Sequence, residues 1–168
     1  MHTKVAHYIA GSDLDAIIIS DYGKGVVCQE VMDCIALGRE QFKFLAVDPC
    51  PESFADYPEL DLITPSRAEA RRMGYFDFDV KQICTTDGAR GMEVFPVEEY
   101  GTEPALIPAS SNNPRCVVGA GDVVIAVMTL LLLKGKGLLD AAIIASKIAG
   151  KTVERDYTSF AKLEDFDV

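Results

Sequence analysis

Residues 115–135 read RCVVGAGDVVIAVMTLLLLKG, and this stretch guides the interpretation of the rest of the chain. Two glycines, an alanine and a carboxylate, Gly119 to Asp122, stand directly before a long apolar run. The run from Val123 to Leu133 is shorter than the roughly 20 residues of a membrane-spanning helix, so it predicts a buried helix. The first turn of a helix leaves backbone N–H groups unpaired, and glycine lets a ligand approach them closely. The stretch therefore predicts an anion site at a helix N-terminus, with Asp122 beside it.

Two interpretations of Asp122 stay open from this stretch alone. In the first, its carboxylate accepts a proton from a hydroxyl group that attacks a bound phosphate, which is the general-base role in phosphoryl transfer. In the second, the Gly-Ala-Gly segment is a tight turn and Asp122 is the N-cap of a core helix. The tetrapeptide by itself gives the second interpretation at least equal weight.

Outside this stretch, apolar strand patterns alternate with helical patterns. Ala16–Ile19 is a β-branched run typical of a strand buried on both faces, and a helical pattern extends from Cys28 to about Glu40. The segments KFLAVD, DLITPS and QICTT predict further strands, SRAEARRMG predicts a short helix, and MEVFPV and PALIP predict short strands after the turn DGARG. A final helix is predicted from about Leu139 to Val153. This alternation predicts a single three-layer α/β/α domain over residues 1–168, with a mostly parallel sheet.

Composition narrows the classes of function. The chain has 168 residues, of which 26 are acidic and 16 basic, and its net charge of -10 disfavours nucleic acid as a partner. A nucleotide is still compatible, because phosphate sites are built from local N–H groups and a few cations. The N-terminal sequence has no apolar signal segment, so we expect a cytoplasmic protein without a membrane partner. The five cysteines form no C-x-x-C pair, so reduced and mostly buried thiols are expected rather than disulfides or a zinc site.

An ordered series of motifs resembles the C-terminal half of the ribokinase-like, or PfkB, carbohydrate kinases. The series is ISDYGKGVV, VDPCPESFADY, LITPSRAE, TTDGARGM and VVGAGDVV, between about Asp15 and Phe160. Within that family the chain is most similar to the kinases of heptose 7-phosphate, which are often one half of a bifunctional ADP-heptose synthase. The resemblance implies a ribokinase-like fold, a sugar phosphate as acceptor, and ATP and Mg²⁺ as co-substrate and cofactor.

The resemblance also implies roles for individual residues. Asp122 would be the catalytic base, and the backbone of Gly119, Ala120 and Gly121 would hold the transferring phosphate. Glu69 matches the acidic end of an Asn-x-x-Glu motif and would bind Mg²⁺, directly or through water, although an ordinary helix-surface glutamate is the alternative. Four residues would contact the nucleotide, three of them in a Thr-x-Gly-x-x-Gly turn that is otherwise a glycine-rich hairpin turn. They are Thr86, Gly88, Gly91 and Ser146.

On the substrate side, the resemblance indicates Asp21 and Lys24, which follow the first predicted strand. Ligands of open α/β sheets bind at the carboxyl ends of the strands, where both residues are expected. For Lys24 a solvated loop lysine is the alternative. Several positions depart from the family pattern and remove polar groups near the expected phosphate or nucleotide. They are Ser66 in place of Asn, Cys50 in place of Lys, Cys116 in place of Asp, and Val118 and Val123 in place of hydroxyl residues.

The resemblance covers only the C-terminal part of a family member. The chain is therefore expected to be truncated at the N-terminus and to lack the β lid over the sugar. Such a sheet would expose an apolar edge, which a homo-oligomer or a partner chain would cover. This expectation leaves a second hypothesis open, in which the chain is an inactive homologue that binds nucleotide or acts through protein association. A third is an α/β domain for some other anionic ligand.

Overall fold

Helices and strands alternate along the chain nearly as the sequence predicts. The computed structural model describes residues 2–52, 57–74, 79–96 and 103–167. The strands are β1 (Ala16–Ser20), β2 (Phe44–Asp48), β3 (Leu60–Ile63), β4 (Val80–Thr86), β5 (Met92–Pro96) and β6 (Ala105–Ile107). The helices are α1 (His2–Gly11), α2 (Gln29–Leu37), α3 (Arg67–Met73), α4 (Ala120–Leu133) and α5 (Leu138–Val153). Short 3-10 helices cover Arg39–Gln41, Gly88–Arg90 and Leu163–Phe166.

The six described strands form one sheet in the order β1-β2-β3-β4-β5-β6. Strands β1 to β4 are parallel, and β5 and β6 add to them as an antiparallel extension, so the prediction of a mostly parallel sheet is confirmed. The register aligns the ends of the first two strands, because Ser20 pairs with Asp48. The carboxyl ends of the parallel strands therefore lie along a single edge of the sheet, which is where open α/β sheets bind ligands.

Helices cover both faces of the sheet, which confirms the three-layer arrangement. Along β2 the side chains alternate between two apolar clusters, because successive residues of a strand point to opposite faces. Leu45 and Val47 pack in the cluster that includes α1, α2 and α3, and Ala46 packs in the cluster of α4 and α5. All three side chains are fully buried. The long apolar run after Asp122 therefore forms most of α4, which packs on one face of the sheet.

One edge of the described sheet is strand β1, which exposes an apolar side chain. Strand β1 pairs only with β2 among the described strands, and Ile18 in its centre is 42% exposed. An edge strand presents unpaired backbone groups that suit pairing with a further strand. Within the described ranges, no helix has both the length and the apolar character needed to cross a membrane.

Three details differ from the sequence predictions. Helix α1 was not predicted, and its Ile9 packs against α2 so closely that a Cβ on Gly38 would lie 2.7 Å from Ile9 Cγ2. Helix α4 begins at Ala120, two residues before Asp122. The expectation of mostly buried thiols is wrong, since Cys84 is buried while the other four cysteines are partly exposed. Cys34 lies within α2 and the other three lie in loops, so none of the four is in a central strand.

Candidate active site

The N-terminus of α4 is capped by Gly119 rather than by Asp122. Gly119 has a φ of 86°, in the left-handed region that only glycine enters without strain, and its carbonyl accepts the N–H of Val123 at 3.0 Å. The described hydrogen bonds of the Asp122 side chain go elsewhere, to residues of another element. The interpretation of Asp122 as a helix cap is therefore wrong.

The Asp122 carboxylate instead lies at the end of β1, where two hydroxyl groups donate to it. Ser20 Oγ donates to Oδ1 at 3.0 Å. The Tyr22 hydroxyl donates to Oδ2 at 2.9 Å and lies 3.2 Å from Oδ1. The pKa of Tyr22 is raised; its hydrogen bond with Ser20 lowers the pKa, but the bond to Asp122 and the Asp122 charge outweigh that effect. The phenol therefore stays a proton donor near neutral pH.

Asp48 is a second carboxylate in the same place. It ends β2, and its Oδ2 lies next to the first turn of α4, because a Cβ added to Gly121 would lie 3.7 Å from it, in ordinary contact. The pKa of Asp48 is raised to about 7, first by burial and then by the charges of Glu69 and Asp122, against a weaker lowering by Thr64. The sequence motifs assign no role to Asp48, although its position at the end of a buried strand is a usable signal.

Glu69 forms a capping box at the start of α3. The Ser66 N–H donates to Glu69 Oε2 at 2.7 Å, and the Glu69 N–H donates to Ser66 Oγ at 3.3 Å. Serine caps a helix about as well as asparagine, so Ser66 preserves the helix start where the family has Asn. Glu69 is partly buried and its charge acts on Asp48, so it is not an ordinary surface glutamate.

A cleft of about 460 Å³ opens beside the α4 N-terminus. Three distant parts of the chain line it: the turn after β4, the first turn of α4, and one face of α5 together with the loop 109–114. All four residues expected to contact a nucleotide lie in its wall, as do two residues of the expected phosphate cradle. These residues are Thr86, Gly88, Gly91, Ser146, Ala120 and Gly121. Gly119 lies at the helix cap, outside the wall of the cleft.

The turn between Thr86 and Gly91 is held in place from outside the cleft. The Asp87 carboxylate accepts a hydrogen bond from Arg67 Nε–H at 2.6 Å and forms a second ion pair with Arg90 at 2.7 Å. Arg67 also forms an ion pair with Glu93 of β5. The pKa of Asp87 is lowered to about 2 by the hydrogen bond from Arg90 and then that from Arg67, against the opposite effect of desolvation. Only glycine fits at position 91, because a Cβ there would lie 2.0 Å from the Ile107 carbonyl oxygen and clash with it.

Asp21 and Lys24 occupy the loop after β1 but differ in role. The Asp21 carboxylate accepts the N–H of Gly23 at 2.8 Å and the hydroxyl of Tyr57 at 2.9 Å, so it organises the loop. Lys24 is exposed, and no hydrogen bond or ion pair joins it to another residue in the described parts of the chain. In this structure Lys24 is a solvated loop lysine, as the alternative interpretation expects. A contact between Lys24 and a substrate stays a prediction.

The carboxylates fit a hard divalent cation. No three His, Cys, Asp or Glu side chains among the described residues are arranged to hold a metal ion by themselves. Mg²⁺ in phosphoryl-transfer sites usually takes only one or two carboxylates, and phosphate oxygens and waters complete its shell. A buried carboxylate crowded by two others, as Asp48 is, gains from such a cation. Asp48 and Glu69 thus provide a suitable donor set beside the cleft.

Curated relatives are about 30% identical to this chain over the aligned region. The bifunctional protein HldE of Helicobacter acinonychis (strain Sheeba) is 30% identical over 167 residues. The protein of the same name from Nitrosococcus oceani is 31% identical over 153 residues. The alignments cover 91% and 82% of this chain but 36% and 32% of the relatives. The chain therefore spans about a third of the length of these curated relatives.

Solved structures agree on the fold. Phosphofructokinase-2 from Escherichia coli, in complex with potassium, superimposes with a TM-score of 0.81 at 15% identity, over 98% of this chain and 59% of that one. Ribokinase from Giardia lamblia gives 0.74 at 19% identity, over 98% and 61%. At these identities the likeness shows the fold alone, and it confirms the ribokinase-like prediction.

A family model agrees with the order of motifs in the sequence. The model, described as pfkB family carbohydrate kinase, matches residues 4–165. This range contains the cleft, the carboxylates and the whole sheet. The chain therefore belongs to the pfkB family of carbohydrate kinases.

Proposed function

We propose that this chain carries the nucleotide-binding and phosphate-transferring part of an ATP-dependent sugar kinase, whose acceptor is a sugar phosphate such as heptose 7-phosphate. One observation carries the proposal. The N-terminus of α4 joins a cleft lined by the expected nucleotide-binding residues to a group of carboxylates that includes Asp122. The resemblance to heptose 7-phosphate kinases supports the choice of acceptor.

In the proposed reaction, the nucleotide lies in the cleft and its phosphates extend toward the first turn of α4. The N–H groups of Gly119 and Gly121 would bind the transferring phosphate there, helped by the helix dipole, while the Ala120 N–H donates to the Val117 carbonyl at 3.2 Å. The acceptor oxygen forms a bond to the γ-phosphorus, the bond from that phosphorus to the bridging oxygen breaks, and ADP leaves. The proton of the acceptor hydroxyl passes to the Asp122 carboxylate. Mg²⁺ bound near Asp48 and Glu69 would neutralise phosphate charge.

A second candidate function is that of an inactive homologue which binds nucleotide or associates with another protein. The apolar edge at β1 favours it, because Ile18 is 42% exposed there. The valines at 118 and 123 also remove hydroxyl groups that family members commonly carry beside the phosphate. ATP-dependent phosphorylation of any sugar by the purified chain would exclude this candidate.

The direct test is phosphate transfer by wild type and by Asp122→Asn, screened over sugar phosphates that include heptose 7-phosphate. We expect Asp122→Asn to lower the transfer rate by about 10²- to 10⁴-fold, the range that a general base contributes. The amide is nearly the same size as the carboxylate, so the circular dichroism spectrum and the melting temperature should change little.

Asp140→Asn is the matched control. Asp140 lies in the first turn of α5 as Asp122 lies in that of α4, but it is exposed and outside the cleft. It should retain the wild-type rate. Equal rates for wild type and Asp122→Asn would rule out the role of Asp122 as base.

A further inference from the structure

The hydroxyl of Tyr22 occupies the atoms of Asp122 that a substrate would need. It donates to Oδ2 at 2.9 Å and lies 3.2 Å from Oδ1, while Ser20 donates to Oδ1 at 3.0 Å. A carboxylate offers about four lone-pair positions for hydrogen bonds. Two hydroxyl groups of the chain itself therefore take up about half of these positions, and they engage both oxygens of the proposed base.

The fold constrains the side chain of Ser20 more tightly than that of Tyr22. Ser20 is the last residue of β1 and is fixed by the register of the sheet. Tyr22 follows the strand, and its residue is 67% exposed. The backbone beside it is anchored, because Asp21 donates its N–H to the Asp48 carbonyl and accepts the hydroxyl of Tyr57. The Tyr22 ring is thus free to leave Asp122 by side-chain rotation while the loop stays in place.

Water competes with the sugar in any kinase active site. A general base acts on a hydroxyl within about 2.6–3.2 Å, and a water molecule meets that condition as readily as a sugar hydroxyl. In the side reaction the water oxygen bonds to the γ-phosphorus and the bond to the bridging oxygen breaks. The water proton passes to Asp122, and the products are ADP and phosphate. Exclusion of water from the base prevents this loss.

From this geometry, and resting on the proposed function, we propose that Tyr22 is a positioning residue that covers the base until the acceptor arrives. Its phenol holds the position that the acceptor hydroxyl takes. A sugar bound through the rest of its molecule displaces the phenol, whereas a lone water does not. Ser20 keeps its bond to Oδ1 and orients the carboxylate. Tyr22 therefore directs transfer toward the sugar and away from water.

Tyr22→Phe tests this role, because it removes the hydroxyl and keeps the ring. The measurement is the initial rate of phosphate release from ATP and Mg²⁺ without any sugar. We expect the variant to release phosphate about tenfold faster, in keeping with the loss of one hydrogen bond to a charged group. The dissociation constant for ATP should not change, since Tyr22 does not line the nucleotide cleft. A merely structural role would alter the affinity or the melting temperature instead.

Two further variants separate the explanations. Tyr8→Phe is the matched control, because Tyr8 is 66% exposed and lies on α1, away from the site. It should keep the wild-type rate of phosphate release. The double variant Tyr22→Phe with Asp122→Asn should lose the increase, because the extra hydrolysis proceeds through the base.

The outcomes distinguish this inference from the function on which it rests. If Tyr22→Phe binds ATP but releases phosphate no faster than wild type, Tyr22 does not cover the base, and the proposed function stands. The same conclusion follows if the double variant keeps the increase. If the folded wild-type chain does not bind ATP, the proposed function fails and the role of Tyr22 fails with it.

Discussion

The side chain of Asp48 lies where a negative charge is unfavourable. It is largely buried at the end of β2, close to the charges of Glu69 and Asp122, and its pKa is raised to about 7. An unfolded chain would hold the same carboxyl near its ordinary pKa of about 4. Such a difference between the folded and unfolded states makes the stability of the protein depend on pH.

The sign of this dependence follows from the order of the two pKa values. Below about pH 4 the carboxyl is protonated in both states, and the stability linked to Asp48 is fully present. Between about pH 4 and the folded pKa of about 7, only the unfolded chain releases the proton, so ionisation favours unfolding. We therefore predict that the contribution of Asp48 to the free energy of unfolding is lost as the pH rises through about 7. The upper limit of this loss is on the order of 4 kcal/mol.

Urea unfolding of wild type and Asp48→Asn at pH 5.5 and 8.5 checks this prediction. Asp48→Asn has no group to ionise at this position. The free energy of unfolding of the variant, relative to that of wild type, should therefore be higher at pH 8.5 than at pH 5.5. Asp13→Asn, in an exposed loop, should follow the wild-type curve. A constant difference between wild type and Asp48→Asn at both pH values would contradict the assigned shift.

The sequence predicted some residues of the candidate site better than others. Gly119 to Asp122 is a local pattern, and local patterns of small residues before a helix are visible in one dimension. Ser20, Tyr22 and Asp48 were missed as site residues because their role depends on contacts across the sheet. The hydrogen bond from Ser20 to Asp122 joins residues 102 positions apart.

At the scale of elements, α3 and the turn after β4 act together. Arg67, the first residue of α3, pairs with Asp87 in the turn and with Glu93 on β5, and its side chain is 27% exposed. The Asp87 side chain is 13% exposed. Because Asp87 lies between Thr86 and Gly88, these contacts hold one wall of the cleft in which we propose that the nucleotide binds.

Arg67→Ala should therefore weaken nucleotide binding as well as stability. Two partly buried carboxylates lose a partner, so we predict a lower free energy of unfolding than that of wild type, and a larger loss than Arg72→Ala causes. The dissociation constant for ATP should rise about tenfold, because the turn is no longer held in its binding geometry. Urea unfolding and titration calorimetry measure the two effects.

Arg72→Ala on the same helix provides the comparison. Arg72 pairs with Glu52, and both side chains are more than half exposed, so its loss should cost less than about 1 kcal/mol and leave ATP affinity unchanged. If Arg67→Ala bound ATP as wild type does, the ion pairs would not position the turn.

Elements with strong periodic patterns were predicted well, and weaker ones were not. The sequences of β1 and β2 are continuous apolar runs closed by a polar residue, whereas Asp61 interrupts β3 and Lys81 and Gln82 interrupt β4. Helix α1 was missed because HTKVAHYIAG has no acidic residue in its first turn and no capping signal, so its place depends on packing against α2. The start of α4 differed by two residues because a left-handed glycine, rather than Asp122, ends the preceding loop.

Considered as a whole molecule, the chain is acidic, although the site that we propose in it binds an anion. The net charge is -10, and the residues that approach the expected phosphates do so mostly through backbone N–H groups. A divalent cation among Asp48, Glu69 and Asp122 would offset both the phosphate charge and the mutual repulsion of these carboxylates. Nucleotide binding by the whole assembled cleft should therefore depend on Mg²⁺.

Titration calorimetry of the chain with ATP, with and without Mg²⁺, tests this central claim most directly when it is repeated for Glu69→Gln. Glutamine preserves the capping box at the start of α3 and removes only the charge. We predict binding that requires Mg²⁺ in wild type and is weaker in Glu69→Gln, while both proteins unfold at similar urea concentrations. A folded chain that binds no ATP, or binds it equally well without Mg²⁺ and in Glu69→Gln, would contradict the account.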